Sequence, residues 1–212
     1  MNRLIKIAFF LFIIKPLTLI VLGLNIRGRE NLPKKGPAII AANHNSHLDT
    51  LVLMGIYPLS KIHKVRPVAA ADYFLKNKLL KWFSMNIINI IPLERKARKK
   101  KGELFAGCKE ALLRNEILIL YPEGSRGSAG KMSELKKGIF HVSKLVEKAP
   151  VTPVVMNGLS KALPKGEALF VPFNCDVIIG DKRNSGDSAE QFVLELKSDF
   201  DELFTHCLTS NE

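Results

Sequence analysis

Two residues with the chemistry of a general base stand five apart in the stretch Asn43-His44-Asn45-Ser46-His47-Leu48-Asp49-Thr50. An imidazole held by a carboxylate is a proton acceptor poised near neutral pH. On one continuous helix, positions five apart point about 140° from each other, and the pair would not meet. The flanking residues place a turn between them instead. Ala38-Ile39-Ile40-Ala41-Ala42 is an apolar run of the kind that forms a buried strand, and Leu51 to Ile56 reads as the helix that follows. Ser46 with Asp49 three residues later has the pattern of a helix start, with Ser46 as N-cap. His44 then lies on the strand–helix turn, within reach of the Asp49 carboxylate. Taken alone, the two residues suit an ordinary capped turn better than a base. Convergence of further polar groups on the same place is what favours chemistry.

The elements that must position such groups can be read along the chain. Apolar runs predict strands at 25–30, 38–42, 65–70, 87–93, 117–121, 151–156, 169–173 and 175–179. Amphipathic stretches predict helices over 72–85, 96–115, 135–147 and 188–208, the last with Phe192, Leu196, Phe200, Leu203, Phe204 and Cys207 on one packing face. The alternation predicts an α/β domain over 25–212, with a central largely parallel or mixed sheet flanked by helices. In such sheets, sites lie beyond the carboxyl ends of strands. After 38–42 come His44 and Asp49, after 87–93 comes Arg95, and after 117–121 come Glu123 and Arg126. If these three strands are parallel, all five side chains share one rim. Two arginines beside a base suggest a substrate with both a hydroxyl and a phosphate, because guanidinium grips phosphate through forked, charge-assisted hydrogen bonds. Lys136 or Lys137 at a helix N-terminus would add positive charge, and Glu123 would bind a hydroxyl or pin Arg126. Arg95 opens the run Arg95-Lys96-Ala97-Arg98-Lys99-Lys100-Lys101, which suits a solvated or membrane-facing surface as well as a site, so Arg126 takes precedence.

Composition narrows the partners. The 212 residues include 32 Lys+Arg against 20 Asp+Glu, a formal charge of +12, which favours phospholipid headgroups, phosphate-bearing molecules or acidic carrier proteins. Nucleic-acid binding would rest on charge alone, with no aromatic platform or motif, and is not expected. Three cysteines without metal-type spacing argue against a disulfide framework. No Gly-x-Ser-x-Gly elbow, phosphate-binding glycine loop or zinc-type histidine pair is present. Residues 1–24 form a separate apolar segment, broken by Lys15-Pro16 and preceded by Arg3 and Lys6. It reads first as an interfacial or re-entrant helix, second as a single bilayer span, and last as a core helix.

Further blocks extend the pattern. His44 and Asp49 form a His, any four, Asp block. It is followed by Ile91-Pro92-Leu93-Glu94-Arg95, Tyr121-Pro122-Glu123-Gly124-Ser125-Arg126, Leu135-Lys136-Lys137-Gly138 and Val151-Thr152-Pro153-Val154. In this order they resemble the glycerolipid acyltransferases of the 1-acylglycerol-3-phosphate acyltransferase type, with Glu94 where Asp is usual, Ser125 for Thr, and Thr152 as a departure. The resemblance covers residues 25–180. It implies that His44, oriented by Asp49, takes the proton of an acceptor hydroxyl that attacks the thioester of acyl-CoA or acyl-carrier protein. It implies that Glu123, Gly124, Ser125, Arg126, Arg95 and Lys137 bind the glycerol phosphate, and that Pro153 and Val154 shape an acyl-donor pocket. No metal or bound cofactor is expected, because thioester alcoholysis needs a base and an oxyanion site. The expected protein is a membrane-associated lysophospholipid acyltransferase on the cytoplasmic face of an inner or plasma membrane, forming phosphatidic acid. The alternatives are acylation of another lysolipid or of an amino-acid-derived lipid, or a non-catalytic lipid binder of the same fold.

Overall fold

Strands that are apolar at every position can be covered on both faces, and here they form the centre of a seven-stranded sheet. A computed structural model of the chain describes residues 2–18, 22–46, 48–74, 77–94, 104–127, 132–147, 149–159 and 174–208. The strands are β1 (Gly23–Arg27), β2 (Ala38–Ala42), β3 (Val65–Ala70), β4 (Ile91–Leu93), β5 (Ile117–Leu120), β6 (Val151–Asn157) and β7 (Asn174–Ile179), in the spatial order β1-β7-β6-β2-β5-β3-β4. Strands β6, β2, β5, β3 and β4 run parallel; β7 is antiparallel to β6, and β1 runs with β7. The central pair, β2 and β5, is buried at every residue, as expected of parallel strands with both faces covered.

Side chains alternate across the sheet. Ile40 and Ala42 of β2 face one core, where α2 (Asp49–Gly55) and the N-terminal segment contribute Val52, Leu53, Phe10 and Ile14. Ile39 and Ala41 face a second core, built with α5 (Ala106–Leu113), α6 (Gly138–Ser143) and α7 (Ala189–Thr205). Helix α7 starts where the Ser188 hydroxyl accepts the Gln191 N–H, and it buries Phe192, Leu196 and Phe200 as its spacing predicts.

Several boundaries differ from the sequence expectation. The strand expected over 87–93 is reduced to β4, because Ser84–Ile88 continues a helical path in π form and ends at Asn89 in the left-handed region, φ 64°. The helix expected over 72–85 is instead α3 (Ala71–Phe74) and α4 (Lys78–Phe83), the second opened by Asn77, whose Oδ1 accepts the Leu79 N–H at 2.8 Å. The helix expected over 135–147 is confined to Gly138–Ser143. The strand expected at 169–173 and the basic start of the helix expected at 96–115 lie outside the described residues. β1 begins at Gly23, so it crosses the 24/25 boundary read from composition.

The N-terminal segment is α1 (Asn2–Phe9), continuing as a π-helical turn over Phe10–Ile14. Its uniform apolarity hides two different sides. Lys6, Phe10 and Ile14 are buried against the domain, whereas Leu4, Leu11, Phe12 and Ile13 are exposed. No helix among the described residues is long and apolar enough to cross a membrane.

Candidate active site

The rim at the carboxyl ends of β2 and β5 carries the catalytic candidates. Beyond Ala42, the pairing of β2 with β6 is extended by a side chain. Asn43, 1% exposed, donates its amide to the Met156 carbonyl at 2.8 Å and accepts the Met156 N–H at 2.7 Å. This clamp fixes the departure of the chain from the sheet. His44 follows immediately, with Nδ1 2.9 Å from Asp49 Oδ2. The same oxygen accepts the Asn45 N–H at 2.7 Å and the Ser46 N–H at 2.8 Å. A carboxylate only accepts, so the shared proton of a neutral imidazole lies on Nδ1 and Nε2 keeps its lone pair. Asp49 is almost wholly enclosed, while the His44 side chain keeps 21% of its surface.

The helix start differs from the capping box that Ser46 suggested. Helix α2 begins at Asp49, three residues later, and the Ser46 hydroxyl accepts the Leu48 N–H at 3.2 Å in the turn ahead of it. Asp49 does supply the reciprocal half of that pattern by accepting the Ser46 N–H. One carboxylate therefore closes the turn and orients the imidazole.

A second loop clasps His44 from the β5 side. Glu123 is 2% exposed; one carboxylate oxygen accepts the His44 N–H at 2.7 Å and the other the Ser133 N–H at 2.8 Å. The Gly127 N–H donates to the His44 carbonyl at 2.9 Å. Both Glu123 carboxylate oxygens therefore hold backbone N–H groups, one on each side of the loop. Gly124 turns the chain at φ 75°, and a Cβ there would lie 2.9 Å from Lys136 Nζ, so the Lys136 ammonium sits directly over this turn. Ser125 and Arg126 are exposed on the loop, next to the Gly127 contact. Arg95 lies outside the described residues. Lys137 caps α6, but its ammonium pairs with Glu190 at the start of α7, away from the rim. Of the two lysines, the geometry brings Lys136 to the site and not Lys137.

Pro153 and Val154 are adjacent on one strand, so their side chains point to opposite faces and do not line one pocket. Val154 belongs to the α2-side core. Pro153 packs toward Gly180 and borders a cleft of about 740 Å³ with Arg183 and Asp199 on the far face. A second cleft of about 850 Å³ lies between Lys15, Arg29 and Ile56; neither is lined by His44.

Sequence reasoning missed one further element. The Tyr121 ring stacks on the His44 imidazole, centroids 4.1 Å apart and planes 21° from parallel. Its hydroxyl lies 2.7 Å from Thr50 Oγ1, on the helix that Asp49 opens. Burial pushes the Tyr121 phenol well above its usual range, so it stays protonated. The imidazole is thus held at its edge by Asp49 and on its face by Tyr121. Nothing local could show this, since Thr50 and Tyr121 are 71 residues apart. Asn43 had a local signal, a polar residue closing an apolar strand. Among the described residues, no group of three or more His, Cys, Asp or Glu side chains is arranged to hold a metal ion.

Residues 23–157, from β1 through the end of β6, match the family model described as Acyltransferase. The chain belongs to the acyltransferase family. Among curated relatives, it is 30% identical over 177 residues to the chloroplastic 1-acyl-sn-glycerol-3-phosphate acyltransferase LPAT1 of Arabidopsis thaliana, covering 82% of this chain and 47% of the relative. It is 33% identical over 156 residues to the 1-acyl-sn-glycerol-3-phosphate acyltransferase of Saccharomyces cerevisiae, covering 71% and 49%. The human 1-acyl-sn-glycerol-3-phosphate acyltransferase alpha is 26% identical over 155 residues, covering 72% and 52%. The chain thus spans about half the length of these relatives. The crystal structure of the 1-acyl-sn-glycerophosphate acyltransferase PlsC from Thermotoga maritima superposes with a TM-score of 0.74 at 20% identity, covering 97% of this chain and 80% of that one. That likeness shows a shared fold, from the N-terminal segment to α7.

Proposed function

We propose that this acyltransferase moves a fatty acyl group from acyl-CoA or acyl-carrier protein to the free hydroxyl of 1-acylglycerol 3-phosphate, giving phosphatidic acid. The observation that carries the reading is the His44–Asp49 pair, with the imidazole oriented through Nδ1 and Nε2 left as the base. The chemistry balances without a covalent enzyme intermediate. Nε2 takes the hydroxyl proton as the oxygen attacks the thioester carbonyl. The tetrahedral intermediate collapses, the carbon–sulfur bond breaks, and the imidazolium returns its proton to the leaving thiolate. Asp49 offsets the charge on the imidazolium, and Tyr121 keeps the ring in plane.

Arg126 and Lys136 would grip the acceptor phosphate beside His44, with Arg95 as a third contact. Glu123 serves by holding His44 to the 121–127 loop. The protein would work on the cytoplasmic leaflet of an inner or plasma membrane, where acyl donors are produced, held by its positive surface and by the exposed side of the N-terminal segment. Relatives named for the same reaction support the acceptor. The test is product formation from a long-chain acyl-CoA and 1-acylglycerol 3-phosphate in vesicles. Phosphatidic acid from the wild type, and none above background from His44→Ala, is the expected result. Product from another lysolipid alone would reassign the acceptor, and lipid binding without product from any donor or acceptor would leave a non-catalytic binder.

A further inference from the structure

Eleven large apolar side chains are exposed among the described residues, and eight of them belong to two segments: the N-terminal helix and the α4 region. Single exposed leucines need no explanation, but a concentration of this kind does. The two segments run side by side in opposite directions. Near one end the Lys6 ammonium donates to the Ile88 carbonyl at 3.2 Å; farther along, the Phe9 and Phe83 rings meet edge to face at 5.3 Å. That antiparallel order carries Phe12 and Ile13 toward Leu79. Phe12 is 73% exposed, Leu79 74% and Trp82 50%, although each stands within one turn of the Phe9–Phe83 contact. Met85 extends the same surface. Arg3, Lys78 and Lys81 are exposed around it, and no Asp or Glu falls in either α1 or α4.

We propose that α4 and the N-terminal segment form one bilayer-docking platform, with Leu79, Trp82 and Met85 entering an anionic phospholipid surface beside Phe12 and Ile13. The occupant follows from composition. An apolar face whose own two helices carry cations and no carboxylates matches a negatively charged lipid interface, where indole is favoured at headgroup level and lysine ammonium groups reach the phosphates. A helix of α4's length cannot span a bilayer, so it lies in the interface. The inference deepens the membrane association proposed above and is independent of the acyl-transfer chemistry. It assigns part of the membrane contact to a segment far from the N-terminus in sequence.

Trp82 is the only tryptophan in the chain, so tryptophan emission, excited at wavelengths that tyrosine does not absorb, reports this site alone. The full-length protein is mixed with vesicles of phosphatidylcholine and phosphatidylglycerol, and sedimentation is followed in parallel. Emission should move to shorter wavelength, gain protection from aqueous acrylamide, and be quenched by lipids brominated near the headgroup. Leu79→Asn, at a position too exposed to affect folding, should weaken vesicle partition about tenfold, the worth of one leucine side chain moved out of water. Vesicle sedimentation with an unmoved, acrylamide-accessible Trp82 would overturn the α4 assignment while leaving membrane association intact. A shift that tracks protein concentration without lipid would replace the bilayer with a second copy of the chain. Absence of sedimentation would overturn both.

Discussion

At the residue scale, one carboxylate oxygen of Asp49 accepts three donors and so fixes both the turn and the tautomer of His44. Asp49→Asn keeps the size but loses the charge and presents an amide that can donate to Nδ1. The expected result is a fall in kcat of roughly 10²–10⁴-fold, with the KM for the acyl donor little changed. Retention of more than about a tenth of wild-type turnover would leave Asp49 as a capping residue only. The phosphate grip makes a different prediction. Arg126→Ala and Lys136→Ala should each raise KM for the phosphate-bearing acceptor by about ten- to a hundredfold, the worth of one charged hydrogen bond, with far less effect on a neutral acceptor. Lys137→Ala should do neither, because its ammonium is occupied by Glu190. Equal effects at Lys136 and Lys137 would place the phosphate elsewhere. The His44–Asp49 contact was legible in the sequence because both residues belong to one turn. The use of Glu123 was not: its partner is a backbone N–H 79 residues away, and no side-chain pattern marks such a donor.

At the element scale, the N-terminal helix is fastened by a buried lysine. Lys6 is 3% exposed and donates to the carbonyls of Val65 and Ile88. Burial, reinforced by Arg66 nearby, lowers its pKa from the ordinary 10.5 to about 7. Between those values the unfolded chain binds the extra proton and the folded chain does not. Stability therefore rises with pH across that window, and it falls as the pH drops toward 7, levelling off below. Lys6→Met should flatten that part of the profile in denaturant titrations from pH 7 to 10. An unchanged slope would show that another group sets it. The strand order also belongs to this scale. Apolar runs such as Ile117–Leu120 could be read as buried parallel strands, and the parallel rim followed. The π-helical path at Ser84–Ile88 could not be read, because its Ile87-Ile88 pair is apolar in the manner of a strand. Whether such a run extends or coils depends on the packing of α1 against it.

At the scale of the whole molecule, the five parallel strands give one rim that carries the candidate site, while α1 and α4 carry basic and exposed apolar side chains next to each other. Composition gave the charge imbalance but not its placement. The uniform apolarity of residues 7–14 concealed a buried side and an exposed side, which only the docked helix separates. With a net charge of +12, part of vesicle binding should be electrostatic. Raising ionic strength from about 0.1 M to 1 M shortens the screening length from about 10 Å to 3 Å. Sedimentation with anionic vesicles should weaken under that change without vanishing, the residue being the apolar contribution. Binding that is indifferent to salt would assign the attachment to apolar contact alone.

The central claim is that His44 activates an acceptor hydroxyl for direct attack on a thioester. Its most direct test is thiol release from a long-chain acyl-CoA, by wild type and by His44→Ala, with and without 1-acylglycerol 3-phosphate. Release by the wild type only, and only when the acceptor is present, is the predicted result. Equal release by His44→Ala, or release by the wild type that needs no acceptor, would contradict it.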